Sequence, residues 1–170
     1  MAESSDWPTN PFWDFSIALY RRPDVADACI QLQERLGIDV NLVLYFAWLG
    51  VAQGRRLSPA EIGAAVDLAT RWHDALVRPL RGLRTMLKGN PLGASAPLAE
   101  RLRNQIKSAE LNAERIEQQM LYAAYPDDGG RQGARDVARS NIDGYFACLK
   151  IAAESADWAA VDVILNATNL

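Results

Sequence analysis

Apolar residues along this chain recur at intervals of three and four, and no stretch alternates convincingly with period two, so the pattern predicts helices throughout. Asn10 followed by Pro11 supplies a cap and a first-turn proline for a short helix through FWDFSIALY to about Tyr20. Pro23 opens a second, DVADACIQLQERL, with Val25, Ala28/Cys29, Leu32 and Leu36 on one face and Gly37 as its stop. In GIDVNLVLYFAWLG the aspartate and asparagine precede the most apolar run of the chain. Asp39 fits an N-cap whose carboxylate takes the free N–H of Asn41 or Leu42, with Ile38 and Val43 spaced as a hydrophobic staple. The run LVLYFAWLGVA is apolar on every side, which places it through the middle of a bundle until Gly54 ends it. Ser58, Pro59 and Glu61 form a capping box ahead of the stripe Ile62, Ala65/Val66, Ala69, Trp72/His73 and Leu76. Pro79 removes a backbone donor and predicts a kink or break near 76–78, with Leu80, Leu83 and Leu87 carrying the stripe onward.

Turn formers Gly89 to Gly93 lead to Ser95 as a further cap, and the longest helix is expected from Ala96 to about Ala124. Leu98, Leu102, Ile106, Ala109, Ala113, Ile116 and Met120 form its apolar stripe, and at 1.5 Å per residue it reaches roughly 40 Å. After the loop PDDGGRQG, two helices follow, Arg135 to about Ala152 and Ser155 (as cap) to about Asn166. The expectation is an all-α fold: a single-domain helical bundle over 1–170, of about six to eight helices, with one long helix near 96–124. Residues 1–9 and 126–133 are expected to be flexible.

Composition fits this picture. With 49% hydrophobic and 23% charged residues over 170 positions, the chain has enough apolar material for one self-sufficient core. The start, MAESSDWPTNPFWDF, lacks a basic segment followed by an apolar one, which points to a cytoplasmic protein, and no run reaches the ~20 apolar residues of a transmembrane helix. Cys29 and Cys148 have neither CxxC spacing nor a secreted context and are expected as buried thiols.

Motifs that carry chemistry are missing: there is no HExxH, GxSxG, GxGxxG, P-loop or EF-hand pattern. A single histidine excludes zinc sites built on several histidines, and Asp127-Asp128 lacks the further acid of an aspartate-rich box. No catalytic set, cofactor or metal site is therefore expected. One segment stands out, RWHDALVRPLRGLRTMLK. On a helical wheel Leu76, Leu80, Leu83 and Leu87 gather within roughly 60°, while Arg71, Arg78, Arg81, Arg84 and Lys88 spread over roughly 140° of the other side. This segment carries +5 and −1, against −3 for the whole chain, so the remainder stands at −7. His73, flanked by Arg71 and Asp74, lies at the edge of the apolar stripe. Arg71, His73, Arg78, Arg81, Arg84 and Lys88 are the candidate binding residues, set against the simpler alternative of a solvated face paired to acids elsewhere. The acidic balance, with a pI near 5.2, argues against nucleic acid as the main partner.

NPFWDFSIALYRRPDVADACIQLQERLGIDVNLVLYFAWLG resembles a proteobacterial family of small uncharacterised helical proteins with an FWDFSxALY block and a GxDVNLxL block. The likeness extends to Trp72 and Arg78-Pro79-Leu80-Arg81 and weakens beyond residue 90. It implies a bacterial, stand-alone domain and supplies no activity or catalytic residues. The reading that follows is a non-enzymatic interaction or adaptor protein, a homodimer or a binder of an acidic protein partner. Two alternatives stand beside it. One is a site for an anionic small molecule, or an enzyme, between the helices carrying Asp39/Asn41 and His73/Arg78. The other is attachment of the basic helix to an anionic membrane surface.

Overall fold

A computed structural model describes residues 7–89, 92–126 and 132–168. Among these the chain forms eight α-helices and no strand: α1 (Pro11–Tyr20), α2 (Val25–Leu36), α3 (Val40–Val51), α4 (Pro59–Trp72), α5 (Arg78–Met86), α6 (Ala96–Ala124), α7 (Arg135–Cys148) and α8 (Ser155–Asn166). A π-helical segment, His73–Val77, joins α4 to α5 without leaving the helical region, so the two run as one rod and the bundle has seven. Most of each stretch expected to be flexible, residues 1–6 and 127–131, lies outside the described residues, as does the Asp127-Asp128 pair.

The helix ends follow local chemistry. Asn10 Oδ1 accepts the Trp13 N–H at 3.1 Å, and Ser58 and Glu61 exchange the bonds of a capping box. Gly37 closes α2 at φ +64°; past α3, Gly54 turns at φ +58° while the Arg55 N–H reaches the Leu49 carbonyl at 2.8 Å. Two starts differ from expectation, and a third keeps its cap position without the capping bond. Pro23 lies in the turn before α2, whose cap position is Asp24 in the left-handed region without a side-chain bond. Ser95 holds the cap position of α6 without a side-chain bond. Glu154, not Ser155, caps α8, its N–H donating to Asp157 Oδ2 at 2.9 Å.

α3 is the axis of the molecule, with every residue from Val40 to Gly50 buried. Helix α7 crosses it at contact distance. A Cβ on Gly50 would lie 2.2 Å from the backbone nitrogen of Ala138, so only a glycine admits this approach. Aromatic rings fill the layers around the axis. Phe12 from α1 packs on Tyr45 and Trp48 with centroids 5.3 and 5.5 Å away, and Phe46 meets Tyr145 of α7 at 5.4 Å. The buried Tyr45 hydroxyl donates to the Leu121 carbonyl of α6 at 2.9 Å.

Two sequence expectations are corrected. Cys29 is buried, and burial pushes its thiol up to about 11, but Cys148 at the end of α7 is exposed. The buried side of α6 is also rotated from the apolar stripe. Leu98, Leu102 and Ala109 are exposed, while Ala99, Glu110, Ala113, Glu117, Gln118 and Leu121 face inward. No described helix is long and apolar enough to cross a membrane.

Candidate functional site

Pro79 marks where the site is built. An α-helix continued through residue 79 would set its ring against the carbonyl four residues back. The chain responds with one wide turn, in which the Arg78 N–H bonds to the His73 carbonyl, and remains helical instead of breaking. His73, the first residue of this turn, is buried between α3 and α6, and the indole N–H of its neighbour Trp72 donates to the Ala113 carbonyl of α6 at 2.9 Å.

Facing His73 are two acids. Asp39 uses one oxygen as the expected helix cap, Oδ1 accepting the Asn41 N–H at 2.9 Å. Its other oxygen, Oδ2, lies 3.4 Å from His73 Nδ1, and Glu117 Oε2 lies 3.5 Å from the same nitrogen. The Glu117 side chain is 0% exposed and that of Asp39 10%. Asn41 ties the acids together: its amide donates to Glu117 Oε2 at 3.0 Å and its carbonyl accepts from Gln118 at 2.8 Å. Burial raises Asp39 well above the usual carboxylate range, and the adjacent Glu117 raises it further against the opposing pull of His73 and the Asn41 N–H. Glu117 is raised by burial as well. Asp39 Oδ2, His73 Nδ1 and Glu117 Oε1 are buried polar atoms without a hydrogen-bond partner.

Beside this cluster is a cleft of about 730 Å³ between α1, α2, α5 and α6, lined in part by Asp39, Asn41 and Gln118 and walled by Arg81 and Arg84. Both arginines are committed to acids of α6. Arg81 donates to Glu110 at 3.0 Å, to Glu114 at 2.7 Å and to Gln33 at 2.7 Å, and Arg84 forks onto both oxygens of Glu110. Burial works to raise Glu110, but the two guanidiniums outweigh it and hold the carboxyl below its ordinary range. Glu114 is raised, by burial first, despite Arg81.

The sequence-derived candidates thus separate. Arg81 and Arg84 stand together on the cleft wall, and His73 joins Asp39 and Glu117 in the interior. Arg78 is exposed and pairs with Asp74 one turn back at 3.2 Å. Arg71 borders a separate shallow groove with Leu68, Trp72 and Met120, and Lys88 is exposed beyond the end of α5. The acids of α6 were missed. Their signal is spacing: Glu110, Glu114, Glu117 and Gln118 recur at three, four and seven, an inward polar stripe beside an apolar one that hid it.

An all-α bundle with a buried carboxylate–histidine cluster is the class these features define. A family model, described as a protein of unknown function (DUF2390), matches residues 11–121, and the chain belongs to that family. The match spans Asp39, His73 and Glu117 and stops before α7. No curated protein and no solved structure matches the chain.

Proposed function

We propose that the protein is a non-enzymatic helical interaction module that docks an acidic, partly apolar partner on the arm formed by α5 and the first half of α6. The supporting observation is a coincidence of exposed apolar surface and positive charge. Helix α5 buries no residue, and up to Ala109 α6 buries only Ala99. Of the eleven large apolar side chains exposed among the described residues, seven lie between 76 and 111: Leu76, Leu83, Met86, Leu92, Leu98, Leu102 and Leu111. From 75 to 114 the sequence has seven basic and three acidic residues, a local charge of +4 in a chain of −3. Apolar surface rimmed by one sign of charge favours a partner of the opposite sign. Two like-charged arms repel, so a homodimer built on this surface would set the arm of one copy against the acidic body of the other.

Arm variants test this reading. Leu83→Glu with Leu102→Glu should shift Tm by no more than about 4 °C, since two exposed positions at about 0.5 kcal/mol or less each sum to about 1 kcal/mol. The parent should form a salt-sensitive complex with a purified acidic protein, or a dimer by light scattering, that the double variant fails to form. A strictly monomeric parent whose pull-downs recover nothing dependent on Leu83, Leu102 or Arg78 removes the proposal. Binding only to anionic vesicles would transfer the arm to a membrane surface.

The cleft favours a second reading, an anionic small molecule held between α2 and α6. Its arginines already serve Glu110 and Glu114, so an anionic ligand has to displace a carboxylate. A thermal-shift screen of phosphorylated metabolites checks this, with Arg81→Gln as the variant expected to lose any response.

A further inference from the structure

We infer that Asp39, His73 and Glu117 form a binding site for one divalent transition-metal ion, with Asp39 Oδ2, His73 Nδ1 and Glu117 as ligands. Three helical segments that are distant in sequence each supply a donor, and donor atoms from the three residues lie within 4.8 Å of one another. The spacings themselves discriminate. His73 Nδ1 stands 3.4 Å from Asp39 Oδ2 and 3.5 Å from Glu117 Oε2, longer than good hydrogen bonds. Ligands held about 2.0–2.1 Å from a shared tetrahedral ion stand about 3.3 Å from each other, close to these separations.

Burial points the same way. An unpaired carboxylate in an apolar interior is costly, and here two stand together with no guanidinium or ammonium bonded to either. A dication neutralises both at once. It would also give partners to Asp39 Oδ2 and His73 Nδ1, and Glu117 can rotate its unpartnered Oε1 or present Oε2. The supporting bonds of a ligand set are already in place, since Asn41 holds one oxygen of each acid and is itself held by Gln118. The imidazole favours zinc, cobalt or iron(II), and the two carboxylates admit manganese, over calcium and magnesium, which prefer all-oxygen ligand sets. Three protein ligands leave at least one position for water or a small ligand, and the cleft that Asp39 lines provides the approach. The π turn belongs to this design, because it sets where His73 enters the interior.

The test uses the full chain with Cys148→Ser, which removes the exposed thiol as a rival ligand, stripped with chelator and titrated with ZnCl2, MnCl2 and CoCl2. At least one of these ions should bind at one equivalent per chain and raise Tm, and bound cobalt should show the visible bands of a four- or five-coordinate nitrogen and oxygen site. Glu117→Gln and His73→Gln should each weaken uptake at least 100-fold, and Asn41→Ser about 10-fold. If one glutamine variant fails to fold, the other and the cobalt spectrum decide. The proposal is overturned by an absence of saturable one-to-one uptake for all three ions, or by uptake that survives both glutamine substitutions. The acids then share a proton only.

Discussion

Helices α3 and α5 have similar lengths, 12 and 9 residues, and opposite fates. The first buries all but its last residue; the second buries none. Apolar content alone does not separate them, because α5 still carries Leu80 and Leu83, with Leu76 and Leu87 at its flanks. The difference is arrangement. Helix α3 is apolar all round and can satisfy every neighbour in a bundle, whereas α5 splits into a leucine stripe and an arginine face, and its arginines reach acids on α6. Stability therefore concentrates around α3, and the arm keeps large apolar side chains exposed.

Paired substitutions put that contrast to the test by urea denaturation. Leu44→Ala on α3, fully buried, should cost about 2–5 kcal/mol, while Leu98→Ala on the arm, 65% exposed, should change stability by about 0.5 kcal/mol or less. Equal costs would mean the arm is as much core as α3. Glycines sharpen the comparison. Gly50→Ala drives a methyl into the backbone of Ala138 and should cost about 3 kcal/mol, whereas Gly82→Ala on α5 meets nothing within 4 Å and should stabilise by about 0.5–1 kcal/mol through helix propensity.

The cluster between the two regions answers to pH. Asp39 and Glu117 have folded-state pKa values raised above those of the unfolded chain, so their contribution is most favourable at low pH and is lost as pH rises through the folded values. Metal-free Glu117→Gln should therefore be more stable than the parent at pH 8, with the advantage shrinking towards pH 5. Acids with lowered values behave oppositely. Glu110 beside Arg84 and Arg81, and Asp157 bonded to Arg35, add stability above the ordinary carboxylate range that is lost as acidification protonates them. Arg84→Gln should accordingly produce the smallest effect, a slight loss at neutral pH that disappears as acidification carries Glu110 through its lowered value and protonates it. Thermal melts across pH check both signs.

Much of the fold was legible because its signals are local. Asn10, Asp39 and Ser58 cap the turns directly after them, and Gly37 and Gly54 stop helices through their own backbone freedom. The apolar surround of α3 announced its central position without reference to any partner. Helix α6 resisted for the opposite reason. Its strongest apolar stripe looks like a buried face, yet Leu98 and Leu102 meet solvent and Glu117 enters the interior, because the neighbours decide which side of a long helix is covered. Asp39 shows both cases in one residue. The cap on Oδ1 follows from its place ahead of α3, while the direction of Oδ2 depends on where α4 and α6 pass.

The order of hydrophobic and polar residues determined that this chain is a helical bundle, where most helices begin and end, and which one forms its axis. These are consequences of backbone hydrogen bonding and apolar periodicity within a few turns. Only tertiary packing decided that His73 meets Asp39 and Glu117 across sequence gaps of more than thirty residues, and that Pro79 yields a widened turn in place of a break. Contacts of that kind depend on the relative placement of whole helices, which no local pattern encodes.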